Sequence, residues 1–97
     1  MSLFAANPQP DDLRLVVEVS YSTITFDLSA KAGLYARAGI VEYWVIDIKG
    51  RRLIVHRNPR EGVYSSVMAY GEFEPVAPLA APAELFRAAD VLPPAAV

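Results

Sequence analysis

Leu13-Arg14-Leu15-Val16-Val17-Glu18-Val19-Ser20 is the stretch from which the rest of the chain is read. It has the apolar, β-branched texture of a strand covered on both faces, broken by one carboxylate. Alternation sets Arg14, Val16, Glu18 and Ser20 on one face and Leu13, Leu15, Val17 and Val19 on the other. Downstream, Asp27 to Ala38 reads as a helix, with Asp27 as N-cap and Gly39 at the left-handed C-terminal cap. Its apolar stripe is Leu28, Leu34, Tyr35 and Ala38, and Lys31 falls inside that stripe. A carboxylate and an ammonium aimed inward from neighbouring elements are costly to bury singly. They are tolerable as a pair or around a metal ion.

The elements that follow are mostly strands. Val41 to Ile48 is dense in β-branched and aromatic residues, Lys49-Gly50 makes a turn, and Arg52 to Arg57 reads as a third strand. Asn58 to Gly62 reads as a longer loop and Val63 to Tyr70 as a fourth strand. Pro82 to Ala89 suits a short C-terminal helix with Pro82 in its first turn. The order is β-α-β-β-β, with a further α at the end. The first connection is long enough for a right-handed crossover, so strands one and two are expected to run parallel. Strands two to four are expected to form an antiparallel meander. This predicts an α+β fold: a small, mixed, twisted sheet with one packed helix. Residues 1–12 read as an irregular lead-in, 13–92 as a single domain and 93–97 as a frayed tail.

Composition narrows the function classes. The chain has 97 residues, enough for one small domain. It is 54% hydrophobic, more apolar surface than one small core hides, which points to a partner or a homo-oligomer. Net charge is −2, so no global field steers it to nucleic acid or to an anionic membrane. Lys49, Arg51, Arg52, Arg57 and Arg60 nevertheless gather five of the nine basic residues in one short stretch. They read as a solvated hairpin rim or as a weak phosphate-contact patch. There is no cysteine, which excludes disulfides and thiolate metal sites. No run approaches the roughly 20 apolar residues of a membrane span, and Met1 to Pro10 lacks the pattern of a signal peptide, so the expected location is cytoplasmic.

With the helix over the Glu18 face, Lys31 can approach Glu18. Such a carboxylate is a hard oxygen ligand of the kind Mg²⁺ uses. A lysine beside it can orient an attacking water and offset negative charge developing on a phosphate. The other reading is a structural ion pair that fixes the helix on the sheet. Asp47, at the end of strand two, is either a further carboxylate for the site or a cap on the turn into Lys49-Gly50. His56 reads as structural, since no second histidine exists to share a metal. Ser20, Ser22 and Thr23 read as turn hydroxyls, and Tyr43 and Trp44 as core or interface rather than a base-stacking platform.

Several motifs occur in one order. They are Leu15-Val16-Val17-Glu18-Val19-Ser20, Ser22-Thr23, Asp27-Leu28 and Lys31. Leu34-Tyr35-Ala36-Arg37-Ala38-Gly39-Ile40 and Glu42-Tyr43-Trp44-Val45-Ile46-Asp47 complete the series. Together they resemble the bacterial Uma-two family of restriction-endonuclease-like proteins, in the PD-(D/E)xK nuclease superfamily. The resemblance implies a metal-dependent phosphodiesterase core that uses Mg²⁺ or Mn²⁺ and acts on nucleic acid. It gives Glu18 the role of the second acid of the motif. Ser20 stands where the motif lysine usually sits, and Lys31 is the lysine moved to the helix. Tyr35 lies beside it, and the backbone carbonyl of Val19 is an additional metal ligand.

The first acid of that pattern belongs on a strand upstream of Leu13. Asp12 lies six residues before Glu18, roughly 20 Å away along an extended chain. Two ligands of one Mg²⁺ must each come within about 2.1 Å of the ion, so Asp11 and Asp12 do not replace it. The expectation is therefore the second half of an endonuclease-like fold, with a bare strand edge that favours pairing between copies. The alternative function is a non-catalytic remnant or oligomeric interaction module that keeps Glu18 and Lys31 as a structural ion pair.

Overall fold

The computed structural model describes residues 13–94. The lead-in over 1–12, with Asp11 and Asp12, and the end of the expected tail lie outside the described residues. Four strands form one mixed sheet in the order β1-β2-β3-β4. These are β1 (Val16–Ser20), β2 (Glu42–Asp47), β3 (Arg52–Arg60) and β4 (Val63–Gly71). β1 pairs parallel with β2, with Glu18 opposite Val45 and Ser20 opposite Asp47. β2, β3 and β4 form the antiparallel meander. The expected α+β fold is the observed one.

One helical run connects β1 to β2. It consists of α1 (Ile24–Phe26), a π-helical turn (Asp27–Lys31) and α2 (Ala32–Arg37). The expected start at Asp27 is thus corrected. The run begins three residues earlier, Thr23 holds the N-cap position without a capping hydrogen bond, and Asp27 is internal. Its C-terminal end is as expected, with Gly39 at φ 78°, a conformation open to glycine at little cost. The buried stripe differs too. Ala32 and Ala36 are buried, while Leu34 is exposed. Small side chains let the helix lie close over the sheet.

β2 is buried along its whole length, because apolar groups cover both faces of the sheet. On the helix side Val16, Tyr43, Val45, Ile54 and Tyr64 pack with Ala32, Ala36 and Ile40. On the outer side Leu15, Trp44, Ile46, Leu53 and Val55 pack with Val76, Ala88 and Leu92. The C-terminal segment therefore covers the second face, but not as the helix expected over Pro82 to Ala89. Phe86 and Val76 exchange backbone hydrogen bonds of 2.8 Å each way, and the Phe86 ring rests on Trp44 at 5.6 Å. Only Ala88–Asp90 forms a 3₁₀ turn. Extended backbone brings Phe86 onto the sheet where a helix would turn it away.

The loop expected over Asn58 to Gly62 is also corrected. β3 runs on to Arg60, and the turn is Glu61-Gly62, both at positive φ, as a type I′ hairpin requires. Pro59 is tolerated because β2 pairs only as far as Arg57. Its missing N–H thus faces no neighbouring strand.

Candidate functional site

Glu18 projects from the middle of β1 onto the helix face of the sheet, and the helical run brings two donors to it. Lys31 Nζ donates to Glu18 Oε1 at 2.8 Å, and the Tyr35 hydroxyl donates to Oε2 at 2.8 Å. The ion pair is partly open, with side-chain exposures of 32% for Lys31 and 25% for Glu18. The Lys31 ammonium is held above its ordinary pKa by the Glu18 hydrogen bond, which outweighs the opposing effect of partial burial. Burial, and then the Glu18 carboxylate, push the Tyr35 phenol upward. At neutral pH Lys31 therefore stands as an ammonium and Tyr35 as a phenol.

Asp27 is the group that the sequence reading misplaced. Its side chain is 3% exposed, and Oδ1 lies 3.5 Å from Lys31 Nζ. Oδ2 accepts a 3.0 Å hydrogen bond from Thr23 Oγ1, and Ser20 Oγ lies 3.4 Å from that hydroxyl. Burial opposes the charge on Asp27. The Ser20 and Thr23 hydroxyls and the Lys31 ammonium overcome that, holding the carboxyl below its usual value. The Tyr43 hydroxyl donates to the Asp27 backbone carbonyl at 3.0 Å. A signal for this was present in the sequence. Asp27, Lys31 and Tyr35 recur every four residues, which sets three polar groups along one helix face.

Other candidates lie elsewhere. Asp47 caps its turn, accepting from Gly50 N at 3.0 Å and Arg52 Nε at 2.8 Å, so it is committed there rather than to the Glu18 site. His56 is buried with Nδ1 3.0 Å from the Tyr43 carbonyl, and Tyr43 and Trp44 are core. Within the basic stretch Arg51 pairs with Glu72, Arg52 with Asp47 and Arg57 with Glu42. Lys49 lies 4.9 Å over the Tyr21 ring. This argues for the solvated-rim reading and against a free phosphate patch.

The donor set fits a hard divalent cation in kind: Mg²⁺ takes one or two carboxylates and fills its remaining positions with water and substrate phosphate. Among the described residues no group of three or more His, Cys, Asp or Glu is placed to hold a metal ion.

A mixed sheet with a parallel first pair, crossed by a helix that delivers a lysine to a strand carboxylate, is consistent with the restriction-endonuclease-like class. The chain belongs to the Uma2 family, whose description is "Putative restriction endonuclease" and whose model matches residues 3–90. No curated protein and no solved structure matches it. No helix among the described residues is long and apolar enough to cross a membrane.

Proposed function

We propose that this chain carries the lysine-bearing part of a metal-dependent nuclease site that hydrolyses phosphodiester bonds in nucleic acid. The observation that carries this reading is the convergence of Lys31 and Tyr35 on Glu18, at 2.8 Å each. Glu18 and the backbone carbonyl of Val19 would hold Mg²⁺ or Mn²⁺. When bound, the ion would polarise a phosphoryl oxygen and acidify a water. Lys31 orients the attacking water through its remaining donors and offsets charge developing on the phosphate. Tyr35 fixes the second oxygen of Glu18, so the carboxylate keeps one orientation. A further carboxylate, from a second copy of the chain, would complete the metal ligands.

Plasmid cleavage with millimolar Mg²⁺ or Mn²⁺ tests the proposal. Glu18→Ala and Lys31→Ala should each abolish cleavage, and activity surviving in either variant refutes the assigned roles. Metal should also raise the melting temperature of the wild type by mass action, and not that of Glu18→Ala. A second reading, a non-catalytic interaction module, is favoured by one observation. Both Glu18 oxygens already accept hydrogen bonds within the chain. No thermal shift and no cleavage at millimolar metal would establish that reading in place of the first.

A further inference from the structure

We infer that Asp27 is a positioning residue for Lys31, holding the ammonium against Glu18 from the buried side. The Asp27 side chain bonds to the Thr23 hydroxyl and not to a backbone N–H. It sits within the π-helical turn that closes at Lys31. That turn has i→i+5 bonds, so it winds less per residue than an α-helix. Its Oδ1 is fully buried and has no hydrogen-bond partner, and the charge it faces is Lys31 Nζ at 3.5 Å. A carboxylate at this depth with one bare oxygen is unfavourable unless a cation lies beside it. An asparagine would pack in the same space and keep the Thr23 bond without burying a charge. The arrangement therefore makes sense through Lys31.

The ammonium lies off centre, 2.8 Å from Glu18 and 3.5 Å from Asp27. Lysine is a flexible four-carbon stem that readily swings to solvent. A second, buried anion keeps its amine in place when Glu18 engages another partner. The catalytic meaning of this anchoring rests on the nuclease reading, whereas the anchoring itself does not.

The full chain tests the two separately. Melting temperatures are measured at pH 7 for wild type, Asp27→Asn, Lys31→Met and the double variant. If Asp27 acts through Lys31, Asp27→Asn lowers the melting temperature in the parent and raises it in the Lys31→Met background. In that background the buried carboxylate has lost its cation. A lower melting temperature in both backgrounds overturns the inference, because a purely local structural role has the same sign in each. Should Asp27→Asn alone fail to fold, comparing the double variant with Lys31→Met still gives the deciding sign. In cleavage assays of folded protein, Asp27→Asn should reduce kcat by about tenfold with KM unchanged. An unchanged kcat overturns the positioning role. Absence of cleavage by the wild type defeats the nuclease reading and leaves the sign test standing.

Discussion

Glu42 is the most deeply held charge among the described residues. It is 0% exposed. It accepts from Trp44 Nε1 at 2.7 Å, from Arg57 Nε at 2.7 Å and from Leu79 N at 2.9 Å. Glu42→Ala should destabilise the fold by about 3 kcal/mol in urea titrations, since it takes the carboxylate from Arg57 and leaves the buried Trp44 indole N–H without an acceptor. Glu18→Ala should cost less than about 1 kcal/mol, because its ion pair is partly solvated. Equal losses for the two would contradict this ranking. His56 gives a second test. Burial between Tyr43 and Tyr64 lowers its pKa from 6.5, against the raising effect of backbone bonds to Tyr43 and Ile54. The unfolded chain therefore takes up a proton first, and stability should fall as pH drops below 6.5. The Asp27 carboxyl, held low in the folded state, acts in the same direction below about pH 3.8. His56→Gln should flatten the first slope and leave the second. The chemistry of Glu18 and Lys31 was legible in the sequence because each violated the periodicity around it. That of Glu42 was not, because a glutamate opening a strand reads as solvent-exposed, and two of its three partners lie 15 and 37 residues away.

At the scale of elements, the strands were legible and the ends of the helical run were not. β2 announces itself through continuous burial on two faces, and the parallel pairing of β1 follows from crossover length. The helix start was misjudged because an aspartate before an apolar periodicity looks like an N-cap, whereas Asp27 spends its oxygens on Thr23 and Lys31. The four-residue spacing of Asp27, Lys31 and Tyr35 is the one local cue that places Asp27 inside the helix. The C-terminal segment was misread because its conformation is set by docking on Trp44, a contact across more than forty residues. Gly39 supplies a test at this scale. A Cβ there meets nothing within 4 Å at φ 78°, so Gly39→Ala should cost about 1–2 kcal/mol from backbone conformation alone. A neutral result in thermal unfolding would remove glycine's role at this cap.

At the scale of the molecule, β1 is an edge of the sheet among the described residues. Val19 is 62% exposed there, with no proline or lysine in Val16–Ser20 to discourage pairing. The expected outcome of light scattering at micromolar concentration is a homodimer that Val19→Lys converts to monomer. A monomeric wild type would count against edge pairing. The two apolar layers also differ in when their covers are made. By Gly71 all four strands and the helical run exist, but Val76, Phe86, Ala88 and Leu92 are still to come. During synthesis the sheet thus emerges with Trp44, Leu53 and Val55 bare on one side. A chain truncated after Gly71 would be a sticky half-clad sheet, a substrate for chaperones and proteases.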